Sequence, residues 1–250
     1  MPARINTHAL RQIQIESGSL GILGSLAHPL GDEGDYVGIV SKNDAQVAAF
    51  RLRVDGKVSV PQVDVDLAGL LPEAKGRAER HREPAYVVTQ KGYLVLLVSQ
   101  GPGGFSVSVE KVATDKSKPQ RVYDSRSLQR GDVFIVTPLR PGSYDMTDSV
   151  GKAKGHIRVA YPEVATGRYE PPAPVTVTVT ERGFNPAKVE LRAAQSVVFQ
   201  IESSNASLIV NLAEPDEGPY KKGARSDSFR WTNPTPPGRR DEEKTPGKKS

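Results

Sequence analysis

The sequence predicts an all-β fold: two Greek-key β-sandwiches in tandem, the second small and incomplete, with one short inserted helix. Three observations carry this prediction. Short runs of β-branched and aromatic residues recur along the chain, separated by Gly, Pro, Asn or Asp, which is the spacing of strands and turns. Phe105-Ser-Val-Ser-Val109 alternates apolar and polar residues, as a strand with one wet face does. Helix signals gather at one place, 72–81, where Pro72 stands early, Glu73 falls in the first turn, and Arg80 and Arg82 lie near the end where cations suit the helix dipole.

The elements follow in order. The opening stretch mixes polar and apolar residues and carries Glu16 where a secretory leader needs an unbroken apolar core, so it reads as the start of a folded domain. The run at 20–26 is too short and too broken by glycine to serve as that core. Strands are expected at 10–15, 36–41, 47–54, 58–65, 85–90, 93–99 and 105–112, each apolar and bounded by turn residues. Three more come from 132–146 and 155–160, broken at Pro141-Gly142. The stretch 163–174 carries Pro171, Pro172 and Pro174 without any hydrophobic period and reads as a linker. Val175-Thr-Val-Thr-Val-Thr180 opens a second β unit, continued by 189–191, 197–201, 208–212 and 229–231. From Pro234 onward Pro, Gly and charge dominate, which predicts a flexible tail. The expected domains are therefore 1–162, a linker at 163–174, an incomplete unit at 175–233 and a tail at 234–250.

Composition removes several chemistries. None of the 250 residues is cysteine, so disulfides, thiolate metal sites, iron–sulfur clusters and cysteine nucleophiles are excluded. The 34 basic and 29 acidic residues are interspersed and leave a formal charge of only +5, too small an excess to indicate nucleic-acid binding. No run approaches the ~20 apolar residues of a membrane-spanning helix.

Two fragments resemble a known family. Val177-Thr-Val-Thr-Glu-Arg-Gly183-Phe184-Asn185-Pro186, followed by Val189-Glu-Leu191 and Val197-Val-Phe-Gln-Ile201, resembles the opening of the cupredoxins, the blue-copper β-sandwich family. Pro141-Gly-Ser-Tyr144, followed by Gly155-His-Ile-Arg-Val159, resembles the close of a cupredoxin, where a Pro-Gly-x-Tyr strand leads into the copper loop. The resemblance implies cupredoxin-like sandwiches. Copper does not follow, because the family's first histidine position falls in Ser204-Asn-Ala-Ser207, and the loop 145–154 holds Met146 where the cysteine is expected. A blue-copper centre requires that thiolate.

The remaining motifs read as structure. Of the four histidines, His28, His81 and His156 could converge on a metal, but none has His-x-His or His-x3-His spacing. Gly18–Gly24 lacks the lysine and hydroxyl of a phosphate loop. Arg130-Gly131-Asp132 stands directly before a strand, where Gly-Asp makes a turn. The acidic pairs at 32–35 and 64–66 lack the flanking ligands of a calcium loop. Tyr220, Lys221, Lys222, Arg230 and Trp231 mix aromatic and basic side chains and form either a contact surface or the closure of the second core.

These readings point away from an enzyme and toward a cofactor-free, metal-free structural or interaction protein. It would be a subunit or accessory of a larger assembly or of a homo-oligomer, with Val197, Phe199, Leu208 and Val210 uncovered within the second unit and left for the first domain or another chain to cover. The alternatives are a histidine-only copper or zinc protein, as metal carrier or enzyme, and a module binding a surface ligand through its loops. A full-length chain without a leader belongs in the cytoplasm; a processed product belongs outside it.

Overall fold

The computed structural model describes residues 7–71, 83–113, 118–162, 169–216 and 218. The helix expected at 72–81, the strand expected at 229–231 and the tail lie outside the described residues. A short helix α1 (Thr7–Arg11) precedes β1 (Gln14–Glu16), β2 (Gly24–Pro29), β3 (Gly34–Lys42), β4 (Ala45–Val54), β5 (Gln62–Asp66) and β6 (Ala85–Val88). Then come β7 (Tyr93–Leu97), β8 (Phe105–Lys111), β9 (Gln120–Asp124), β10 (Val133–Val136), β11 (Gly142–Asp148) and β12 (Lys154–Ala160). The last are β13 (Val175–Thr180), β14 (Gly183–Asn185), β15 (Lys188–Arg192), β16 (Val197–Ile201) and β17 (Leu208–Pro215).

The all-β prediction holds, with local differences. Where a strand was expected at 10–15, the chain makes a turn of helix whose end is closed by the Gln12 N–H on the His8 carbonyl, and β1 begins only after it. The strand expected at 58–65 starts at Gln62, because Pro61 has no N–H to give to a ladder. Strands β2, β9 and β14 were not anticipated.

The strands form three sheets, ordered β6-β4-β3-β8-β9, β15-β12-β11-β17-β1 and β5-β7-β2-β10-β16-β13-β14. The two five-stranded sheets share one plan. Each begins with a parallel pair, β6 with β4 or β15 with β12, and continues antiparallel to its far edge. In the seven-stranded sheet β5 runs parallel to β7, which is antiparallel to β2; β13 runs parallel to β16, which is antiparallel to β10. At its middle β2 and β10 pair antiparallel. Strands β2–β8 are thus repeated in β10–β13 and β15–β17, with β9 matched by β1 and β14 extra, and the copies meet through β2 and β10 about an approximate two-fold. Details repeat as well. Gly34 at φ +144° and Gly142 at φ +147° each stand two residues before a tyrosine, an outlying φ that glycine adopts without strain. The hydroxyl of Tyr36 donates to the Asp32 carbonyl at 2.7 Å, and that of Tyr144 to the Arg140 carbonyl at 2.8 Å.

This arrangement corrects the expected domain organisation. The boundary at 163–174 does not separate two cores, because β10, β11 and β12, assigned from chain order to the first unit, pair with β16, β17 and β15. The change from one sandwich to the other falls between β9 and β10. The second sandwich is also not incomplete: β10–β12 supply its strands, and β1 lies beside β17 as β9 lies beside β8. Val197, Phe199, Leu208 and Val210, expected to be covered by the first domain or by another chain, are at most 1% exposed, and their strands β16 and β17 pair with β10 and β11 from the stretch expected as the first domain.

Side-chain alternation fixes which face of the shared sheet is covered. Val177, Phe199, Phe134, Leu26, Leu96 and Val65 form one row across six strands, and all are buried. The neighbouring row, Thr178, Gln200, Val133, Ala27, Val95 and Asp64, contains no buried residue. Because successive side chains alternate between faces, the buried core lies on one side of the seven-stranded sheet, and among the described residues its other side is open.

Candidate functional site

The five side chains singled out as a contact surface, Tyr220, Lys221, Lys222, Arg230 and Trp231, lie outside the described residues. The structure does bring together two loops that were far apart in the sequence reading, the one after β16 and the turn after β11. The Ser149 N–H donates to the Ser207 carbonyl at 2.9 Å, and the Ser207 N–H to Asp148 Oδ1 at 2.9 Å. The Val150 N–H donates to the same Oδ1 at 3.1 Å. If the resemblance held, these loops would carry copper ligands; here they are joined by backbone amides, carbonyls and one carboxylate. They do not fit a thiolate–imidazole centre. Met146 is fully buried, and its methyl lies over Gly155, so it fills core. In the first sandwich the corresponding turn is only Asn43-Asp44, both at positive φ.

A second cluster sits where the sandwiches join. One position beyond the last paired residues of β2 and β10, His28 Nδ1 lies 2.7 Å from Asp132 Oδ1. Asp132 is 1% exposed, and its other oxygen accepts the Gln129 N–H at 2.7 Å. The His28 ring packs against Tyr123 of β9 at 4.5 Å between centroids. The Tyr123 hydroxyl is buried without a hydrogen-bond partner. Desolvation, aided by the charges of Asp132 and Asp124, pushes its pKa well above the ordinary 10.0. Sequence reading missed this cluster because His28 and Asp132 are 104 positions apart and each has a sufficient local explanation, a loop before Pro29 and a Gly-Asp turn. That turn is present: Gly131 has φ +96° and the Asp132 N–H closes on the Gln129 carbonyl. With its aspartate buried, Arg130-Gly131-Asp132 cannot present itself to a receptor.

On the open side of the shared sheet, at the same end, lies a groove of about 860 Å³ whose lining includes Tyr93, Arg130, Glu181, Arg182, Gln200 and Glu202. Arg130 donates through Nε to the Glu202 carbonyl at 3.0 Å. Glu181 accepts the Ser204 N–H at 2.7 Å and the Ser204 hydroxyl at 2.9 Å, and these bonds hold its carboxyl below the usual range. An ionised, hydrogen-bonded Glu181 is no general acid at neutral pH. Among the described residues no serine or threonine hydroxyl is hydrogen-bonded to the His28 imidazole.

Among the described residues the histidines do not gather into a metal-holding group. His156 faces solvent on β12, 3.7 Å from Asp145, His28 is half-buried in β2, and His81 lies outside the described residues. Among the described residues no group of three or more His, Asp or Glu is placed to hold a metal ion, and no helix is long and apolar enough to cross a membrane. Family models, curated proteins and solved structures were compared with the chain, and none matches it.

Proposed function

We propose that the chain is a non-catalytic, metal-free structural or interaction protein, a subunit of a larger assembly, built from two cupredoxin-like sandwiches. What supports the family reading is that the fragment resembling a cupredoxin close, β11 and β12, shares one sandwich with the fragment resembling a cupredoxin opening, β13–β16, although it precedes that fragment in the chain. The chain would then be a permuted relative, entering each sandwich at β2 or β10. The observation that carries the functional reading is the closed contact between the loops at 148–150 and 207, where Asp148 spends an oxygen on two backbone amides at the place a metal centre would need ligands. Elemental analysis of the purified, dialysed protein tests it. No metal in stoichiometric amount is expected; a copper or zinc ion retained at one per chain overturns the reading.

A further inference from the structure

The two ends of the join between the sandwiches are built differently, although the internal repeat makes them counterparts. The 108 positions that separate Gly34 from Gly142 also separate Ser17 from Ser125, and each serine hydroxyl accepts one backbone N–H, from Leu208 and from Val107. The same step carries Ile15, Gly24 and His28 onto Tyr123, Asp132 and Val136. One end is therefore closed by Ile15, Gly24 and Val136, apolar and buried, and the other by the cluster of Tyr123, His28 and Asp132. Packing needs only the first solution. The polar one holds the turn 129–132 from beneath, through the Gln129 and Asp132 amides, and so fixes the residues that face outward above it.

On the open face above that cluster one row reads Tyr93, Pro29, Gly131, Glu202 and Thr180. Gly131 has no side chain to set beside Pro29, so the row sinks between Tyr93 on β7 and Glu202 after β16 and makes the floor of the 860 Å³ groove. β7 and β16 are three ladder spacings apart, about 14 Å, which leaves room for a short run of sugar rings lying across the strands. At the counterpart end Leu23 stands in the place of Gly131, and the polar side chains satisfy one another: the Thr137 and Ser196 hydroxyls lie 2.8 Å apart, and the Ser99 hydroxyl donates to Asp66 at 2.5 Å. In the groove the reverse holds. Among the described residues no side-chain hydrogen bond or ion pair engages the Tyr93 hydroxyl, the Gln200 amide, the Glu202 carboxylate or the Arg182 guanidinium.

The lining narrows the ligand. Arg130 and Arg182 stand with Glu181 and Glu202, so the groove has no net charge to offer an anion or a cation. Donors and acceptors occur side by side, which suits hydroxyl groups, since each hydroxyl both gives and takes a hydrogen bond. Tyr93 is 44% exposed and presents a ring on which the C–H face of a sugar can lie. An extended peptide joins a sheet by adding a strand at an edge. Here β7, β2, β10 and β16 are each paired on both sides, and the face offers a ligand side chains alone.

We infer that this groove is a binding site for a neutral glycan chain, with Tyr93 stacking on one sugar ring and Arg130, Arg182, Gln200 and Glu202 holding the hydroxyls of its neighbours. The inference goes beyond the structural-protein reading and stands apart from it: a retained metal overturns that reading and leaves the groove untouched, and a metal-free chain that binds no glycan does the reverse. Calorimetry of the full chain with neutral hexasaccharides from cellulose, laminarin, xylan, mannan and chitin tests it. At least one of them should bind with a Kd of about 0.01–1 mM. Tyr93→Ala and Glu202→Ala, both at exposed positions outside the core, should each weaken that binding roughly tenfold. Tyr93→Phe keeps the ring and should retain most of the affinity, and Ser196→Ala, at the counterpart end, should leave it unchanged. No binding by any of the sugars up to ~5 mM overturns the inference. So does binding indifferent to Tyr93 and Glu202, or a groove that takes only heparin fragments, polygalacturonate fragments or peptides.

Discussion

At the scale of residues, the two copies of the pattern solve the same packing problem with opposite choices. In the β3–β4 hairpin Gly38 faces Phe50, whose ring occupies the place a Cβ at Gly38 would need; in the β11–β12 hairpin Met146 faces Gly155, whose added Cβ would meet the Met146 methyl. One large and one small side chain fill the space either way, on exchanged strands, which keeps the volume and hides the repeat from a reader of letters. Tyr123 gives a sharper test. Its hydroxyl is buried without a partner, so Tyr123→Phe should leave stability unchanged or raise it by about 1 kcal/mol. The folded-state pKa lies above the unfolded 10.0, so the unfolded chain ionises first and wild-type stability falls as pH rises beyond about 10. Urea unfolding of both proteins at pH 8 and pH 10.5 should show the variant losing less; an equal loss would count against the assignment. Glu181 has the opposite sign. Its folded pKa is depressed by the Ser204 bonds, so its contribution is present above the unfolded value near 4.5 and disappears as pH falls through the lower folded one. Glu181→Gln should flatten the acid limb of the stability profile, read from thermal midpoints between pH 6 and pH 3.

At the scale of elements, the ladder between β2 and β10 holds the molecule together, and β2 is the strand least visible in advance. Gly24-Ser-Leu-Ala-His-Pro29 offers one large apolar residue, Leu26, between small and polar ones, and resembles a glycine-rich turn until Leu26 is seen beneath Phe134 in the covered row. The His28–Asp132 pair closes one end of the ladder, and at the other the Thr137 N–H bonds the Leu23 carbonyl. Asp132→Ala would strip partners from His28 and the Gln129 amide inside a nearly closed space. Losses of about 2–4 kcal/mol are expected by chemical denaturation. A cost under 0.5 kcal/mol, the ordinary range for a surface change, would mean the pair does not brace the join.

At the scale of the whole molecule, chain order and spatial order part company. Residues 133–160 belong with 175–215, so a chain ending after Pro162 would leave Phe134, Tyr144, Met146 and Ile157 without the strands that bury them. In that truncation, amide exchange should be fast across β10–β12 and slow across β3, β4 and β8, whose partners all lie before residue 125. Slow exchange across 133–160 in the shortened chain would restore the boundary expected at 163–174.

Local chemistry determined a good deal without any fold. Alternation at Phe105-Ser-Val-Ser-Val109 and Val175-Thr-Val-Thr-Val-Thr180 set strands and their inner faces, Pro141-Gly142 set a turn, and the absence of cysteine closed off thiolate chemistry. Those are properties of a few adjacent residues, which sequence displays directly. Which strand lies beside which is decided by burial and hydrogen bonding between segments about a hundred residues apart, as for Phe134 against Leu26 and Asp132 against His28. Alternation marks two faces on every strand but does not say which of them another sheet will cover. Only the tertiary structure decided that Val197, Phe199, Leu208 and Val210 face a completed core while Val133, Ile135 and Val95 stand on the open side, because a side chain's burial depends on the sheet laid over it and not on its own hydrophobicity.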